Sequence, residues 1–421
     1  MRPYCLPACL ALAVALPLAA QSPLNGRGPT NDKARTAAFV PDRLGRVDQF
    51  LQQLIDDGKL PGATALVIHD GHIVYNKAFG YRDLGTKAPL KTTDIFRIAS
   101  QTKAITSLAA MMLWEERKFS LDDPVSKYLP EFEKPQVLTT FHPADSSWEA
   151  KPAHRAMTVR QLLTHTSGLD YAQIGSDEFK AIYAKAGITA LGTPGDVLAD
   201  KMGALARLPL KHEPGERFTY ALGIDLLGRL VEVWSGISLD RFFRTRIFEP
   251  LGMRDTWFEL PADRQDRLVT LHQEEDGTLK PWRDSTLLGN PDYPLRPMTY
   301  FSGGGGLSST TADYARFLEL FLNHGEANGV RLLGRKTVEL MLTNHIPGLA
   351  PPFGLGFALE TPENDYRSIV SEGTFSWGGA FATTYWVDPK ERLIALVYTN
   401  VLGSTANLGE AFRVLLYSAM R

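Results

Sequence analysis

Apolar residues first recur at helical spacing. Leu44, Val47, Phe50, Leu51 and Leu54 fall on one face of a segment from Pro41 to about Asp57 and predict a helix. The period then changes. Residues 63–68 (Ala-Thr-Ala-Leu-Val-Ile) and 73–79 (Ile-Val-Tyr-Asn-Lys-Ala-Phe) read as two strands, with Asp70-Gly71 as the tight hairpin turn between them. From Ser100 to about Asp284 the pattern is mostly helical: a helix beginning at Ser100, then 158–163, a stretch around 179–208, and 222–235. Residues 132–156 and 171–209 read as irregular or lightly helical excursions, the kind of segment that walls a binding cleft. The last third returns to strands at 354–359, 368–374, 382–387 and 393–398, with a turn at 388–391 and a closing helix at 408–420. Strands at both ends with helices between predict an α/β fold of the α+β kind. One antiparallel sheet, built from the N- and C-terminal segments (39–98 and 285–421) and flanked by helices, carries an inserted, mostly helical lobe (99–284).

Length and charge narrow the partners. A chain of 421 residues can bury a large core, and a net charge of -2 with interspersed signs gives no footprint for nucleic acid. The N-terminus sets the expected compartment. Arg2, an apolar stretch over residues 6–19 and Leu18-Ala19-Ala20 read as a signal peptide (1–20), followed by a polar, disordered tether (21–38) before the domain at 39–421. Export to a bacterial periplasm is therefore expected, with no stable membrane anchor after cleavage. Both cysteines, Cys5 and Cys9, fall inside the leader. Cys9 precedes most of the apolar stretch, which argues against lipidation, and the mature chain has neither a disulfide nor a thiol nucleophile.

The chemistry centres on Ser100-Gln101-Thr102-Lys103, at the start of the apolar run 104–114. On a helix these spacings put Ser100 on the first turn and Lys103 one turn on, on the same face. A hydroxyl beside an amine is a candidate activated nucleophile. Turning a lysine with a pKa near ~10.4 into a base at pH 7 takes about 4 kcal/mol. The positive helix end and burial both push that way, which predicts a neutral Lys103. The remaining parts of such a site are a second proton carrier and an oxyanion hole. Tyr220, delivered by the Pro214-Gly215 turn to the start of a helix, is the candidate carrier. Trp377-Gly378-Gly379-Ala380 is the candidate for the rest, because paired glycines beside a strand allow close approach to the backbone, where the Ala380 N–H can donate. A helix-entry aromatic and a plain hairpin turn are the alternatives for these two.

Ser100-x-x-Lys103, Tyr220 and a Gly-rich strand motif, in that order, resemble the serine β-lactamase and penicillin-binding-protein superfamily. The likeness is closest to class C β-lactamase-like serine hydrolases, including the family VIII carboxylesterases, and spans the chain from about Phe39. Residues 121–125 (Leu-Asp-Asp-Pro-Val), 162–169 (Leu-Leu-Thr-His-Thr-Ser-Gly-Leu) and 303–307 (Gly-Gly-Gly-Gly-Leu) are similar to stretches typical of those proteins. The resemblance implies an acyl-enzyme mechanism without cofactor. Ser100 would be the nucleophile, Lys103 and Tyr220 would share the proton transfers, and the Ser100 and Ala380 N–H groups would hold the oxyanion. Two departures bear on substrate. Tyr220-Ala221-Leu222 lacks the asparagine of Tyr-x-Asn, and Trp377-Gly378-Gly379 replaces Lys-Thr-Gly. Together they remove an amide anchor and a charge-assisted contact worth roughly 1.5–3 kcal/mol to a β-lactam carboxylate. Trp377, Gly378 and Gly379 would instead line an apolar substrate wall, as the family VIII esterases do, favouring a small uncharged ester.

The rivals are a β-lactamase or D-amino-acid peptidase or amidase acting on lactam or amide substrates, and a non-catalytic protein holding peptidoglycan fragments. An α/β-hydrolase would need Gly-x-Ser-x-Gly, which the chain lacks, and Gly303–Gly306 lacks the ending of a phosphate loop. The nine histidines are scattered without His-Glu-x-x-His, so no metal is expected. His69 and His72 flank the hairpin turn and read as solvated. His165 reads as a structural hydrogen-bonder at a helix end, and Met111, Met112 and Trp114 as core.

Overall fold

The two ends of the chain meet in one sheet. The computed structural model describes residues 38–282, 290–349 and 351–421. The leader (1–20), the tether up to residue 37 and the lobe boundary at 284/285 lie outside the described residues. Main-sheet strands are β1 (Gly62–His69), β2 (His72–Asp83), β3 (Ala88–Pro89), β4 (Ala358–Leu359), β5 (Phe375–Gly379), β6 (Thr383–Asp388) and β7 (Leu393–Tyr398). They run in the order β4-β5-β6-β7-β1-β2-β3, and every neighbouring pair is antiparallel. The sheet closes by pairing β1 with β7, from Thr64 opposite Tyr398 to His69 opposite Leu393. Asp70 and Gly71 both take positive φ, at 49° and 72°, as the expected two-residue turn requires.

Both faces of the sheet are covered, which is why β1 and β7 are buried almost throughout. Ala63, Ala65 and Val67 point to one side, where α1 (Pro41–Asp56) and α6 (Leu408–Ala419) pack Val47, Leu51, Phe412 and Leu416 against them. Leu66, Ile68, Leu396 and Tyr398 point to the other side, into the main core. That core contains α2 (Thr102–Glu115) and α5 (Thr311–Leu322). α2 is buried from Thr102 to Leu113, the consequence of a run without charge between Lys103 and Glu115. The inserted region adds α3 (Val159–Leu163), opened by a reciprocal Thr158–Gln161 capping box, and α4 (Gly223–Ser235), which packs on α2.

Four segments differ from their sequence reading. Residues 132–156 hold a β-hairpin (Gln136–His142 with Ser147–Pro152), not an irregular or lightly helical excursion. A register irregularity between Leu138 and Thr140 breaks the alternation that would have marked it. The strand expected at 368–374 is a loop that follows a 3-10 turn (Asp365–Arg367), with Gly373 at φ 91°, and the strand itself starts at Phe375. Of 354–359 only Ala358–Leu359 pairs, because Gly356 bends the chain at φ 103°. The helical stretch at 179–208 is two helices, Asp177–Lys185 and Leu198–Leu205.

A carboxylate inside α5 makes the fold sensitive to pH. Glu319 is buried, and desolvation, opposed by Arg316, pushes its carboxyl up to about 7. A raised folded-state value stabilises the fold below the unfolded pKa near ~4.3, and that contribution is lost as pH rises through 7. Glu319→Gln is therefore expected to gain stability over the wild type between pH 5 and 8, by ~2 kcal/mol in denaturant midpoints. An equal gain at both pH values would show that Glu319 is already ionised in the fold.

Candidate active site

Ser100 does not open the α-helix. It lies in a 3-10 turn, Ala99–Gln101, and α2 begins at Thr102. Ala99 takes φ 44°, a left-handed conformation costing a non-glycine residue roughly 1–2 kcal/mol, so the surroundings must hold the turn. They do so from three sides. Tyr314 on α5 donates to the Gln101 carbonyl at 2.8 Å, and Tyr398 on β7 donates to Gln101 Oε1 at 2.5 Å. The Gly-rich loop adds Leu307 N–H to Thr102 Oγ1 at 3.1 Å and accepts the Ile98 N–H on Leu307 O at 3.1 Å.

Lys103 lies below the serine, 2% exposed. Its Nζ donates to Gly304 O at 2.6 Å, to Ser100 Oγ at 3.3 Å and to the Tyr171 hydroxyl at 3.4 Å. The Tyr220 ring centroid is 4.6 Å from the same nitrogen. Tyr220 reaches this position because the 214–220 segment is pinned to the end of α3: Gly215 N–H bonds Thr166 O and Thr219 N–H bonds His165 O, both at 2.7 Å. Gly215 sits at φ 84°, as the Pro-Gly turn requires. The Tyr220 hydroxyl is buried and has no hydrogen-bond partner. The serine, the amine and the phenol, distant in sequence, are thus brought together.

The expected neutral amine is corrected. Burial does push Lys103 down, but Tyr171, Tyr220 and the Asp225 carboxylate outweigh it, and the net direction is above the ordinary lysine value. Sequence reasoning saw the desolvation and missed the acid. Asp225 is fully buried on the first turn of α4, the one carboxylate in the apolar stretch 221–228, and that isolation was the available signal. Tyr171 carried no comparable signal.

The third element is β5. Gly379 packs directly on the Ile98 carbonyl, and a Cβ there would collide with it and with Thr383 Oγ1. Only glycine lets the strand approach the Ser100 turn this closely. Gly378 and Gly379 are therefore paired strand residues, opposite Thr384 and Thr383, and the turn begins after them at the exposed Ala380. Trp377 joins an aromatic wall with Tyr220 (centroids 5.5 Å apart), Phe353 (5.3 Å) and His165 (6.5 Å). His165 is a hydrogen-bonder through its backbone, accepting from Thr219. Its ring packs 4.8 Å from Tyr220 with Nδ1 unpartnered, and burial, followed by Lys103, holds it neutral, well below the usual histidine value. Among the described residues no group of His, Cys, Asp and Glu gathers to hold a metal ion.

The profile of the Beta-lactamase family matches residues 47–419, and the chain belongs to that family. It is 35% identical over 364 residues to an uncharacterized protein of Mycobacterium tuberculosis, covering 82% of this chain and 87% of the relative. It is 33% identical over 378 residues to the lovastatin esterase of Penicillium rubens, covering 82% and 90%. Among solved structures it resembles EstCE1, a hydrolase with promiscuous acyltransferase activity, with a TM-score of 0.77 and 28% identity over 89% of this chain and 99% of that one. The chain is accordingly a serine hydrolase of the β-lactamase fold, with esterases, acyltransferases and carboxypeptidases among its relatives.

Proposed function

We propose that the protein hydrolyses small carboxylic esters through an acyl-enzyme on Ser100. The observation that carries this reading is the approach of Lys103 Nζ to Ser100 Oγ at 3.3 Å beneath the Tyr220 ring. Ser100 Oγ attacks the ester carbonyl carbon while its proton passes to the Lys103–Tyr220 pair. The carbonyl oxygen becomes an oxyanion and accepts from the Ser100 and Ala380 N–H groups. Collapse expels the alcohol, which takes the proton back. Water then attacks the acyl carbon by the same route in reverse, releasing the acid and regenerating the serine. The direction at Lys103 favours the ammonium, so rates are expected to rise with pH as the pair gives up its proton.

The ester preference is supported by what β5 offers a substrate. Trp377, Phe353 and the neutral His165 form an apolar wall, and no lysine or arginine occurs in Phe375–Gly379 to meet a β-lactam carboxylate. A short-chain p-nitrophenyl ester is expected to turn over at least tenfold faster, in kcat/KM, than a chromogenic cephalosporin. Hydrolysis of the cephalosporin alone would overturn the ester assignment. We further propose export through the leader at residues 1–20, on the strength of Arg2 and the apolar stretch that follows it.

A further inference from the structure

One buried acid is left without a task in that scheme. Asp225 is 0% exposed, and its Oδ1 accepts from Ser302 Oγ at 2.6 Å and from the Gly304 N–H at 3.1 Å. Its Oδ2 has no partner. The other end of the Gly304 residue, its carbonyl, is the 2.6 Å acceptor of Lys103 Nζ. A single glycine thus links carboxylate to ammonium, N–H toward the acid and C=O toward the base. Any side chain at 304 would collide with the Asp225 carboxylate, so the glycine is required by this contact. An isolated carboxylate in such a site is costly, and an ammonium reached through one polarised residue offsets that cost.

We infer that Asp225 is the buried counter-charge and positioning residue of Lys103, acting through Gly304, and so sets the pH at which Ser100 is activated. The inference rests on the serine–lysine reading above. The groups facing Lys103 are Tyr171 and His165 from the 165–171 segment, Tyr220 from the turn before α4, and Asp225 from α4 itself. Asp225 is the one carboxyl group among them; burial pushes it above the ordinary carboxylate range, and Lys103 is the first group that opposes this. Around Asp225 stand Lys103 and the hydroxyls of Ser302 and Tyr300.

The test is Asp225→Asn, which keeps an acceptor oxygen for Gly304 and removes the charge. In ester hydrolysis the rising limb of kcat/KM against pH is expected to move down by about one pH unit. The rate of Ser100 labelling by a fluorophosphonate should move with it. A residue that merely holds the loop would lower the rate at every pH and leave the midpoint where it was, and an unmoved midpoint overturns the inference. Wild-type protein that is not labelled at Ser100 at all would overturn the serine–lysine reading instead, so the two failures are distinguishable. If Asp225→Asn does not fold, stability supplies the readout. Lys103→Ala strands the carboxylate, and adding Asp225→Asn should raise its melting temperature. No rescue in the double variant overturns the inference.

Discussion

Ser100→Ala is expected to leave no measurable ester turnover and no fluorophosphonate adduct in the intact mass. The loss should be on the order of 10⁶ in kcat, the scale seen when a nucleophile that works as part of a unit is removed. The protein should otherwise be unperturbed. Ser100 is half-buried, and the bonds that hold its turn run through Gln101, Thr102 and Ile98, while the serine hydroxyl accepts only the 3.3 Å bond from Lys103, which keeps its shorter bond to Gly304 O. Unchanged melting with lost activity is thus the predicted pair of results. Retained turnover in Ser100→Ala would remove the acyl-enzyme mechanism altogether.

The second large effect concerns the proton carriers. Tyr220→Phe and Lys103→Ala are each expected to lose several orders of magnitude in kcat, at and beyond the upper end of ~10²–10⁴ for positioned acid–base groups. Their stabilities should diverge. The Tyr220 hydroxyl has no hydrogen-bond partner, so its removal strands nothing, and the ring keeps its 5.5 Å stacking on Tyr171 and its contact with Trp377. Lys103→Ala instead leaves the Gly304 carbonyl and the Asp225 carboxylate without their cation, and should melt earlier. Wild-type activity in Tyr220→Phe would take the phenol out of the mechanism.

Much of the fold was legible because it depends on local period. The α1 helix and the β1–β2 hairpin each state their period in about a dozen residues, and Asp70-Gly71 states its turn in two. Where a local irregularity interrupts the period, the reading failed. The register shift near Leu138 hid a hairpin, and the Gly378-Gly379 pair, which a plain turn would equally have explained, is paired strand. Glycine is ambiguous in this way because it permits a sharp bend and a close approach alike. Only the Ile98 carbonyl, far away in sequence, decides which one is needed.

The site divides along the same line. The sequence alone determined the identities and order of Ser100, Lys103, Tyr220 and the Trp-Gly-Gly strand, because nucleophile chemistry demands particular side chains and leaves them visible as motifs. Tertiary structure alone decided the direction in which Lys103 is pushed, the stacking of Tyr171 beneath Tyr220 and the bridge from Asp225 through Gly304. The reason is electrostatic. A buried charge responds to every group within a few ångströms, whichever part of the chain supplies it, and sequence spacing carries no record of that distance.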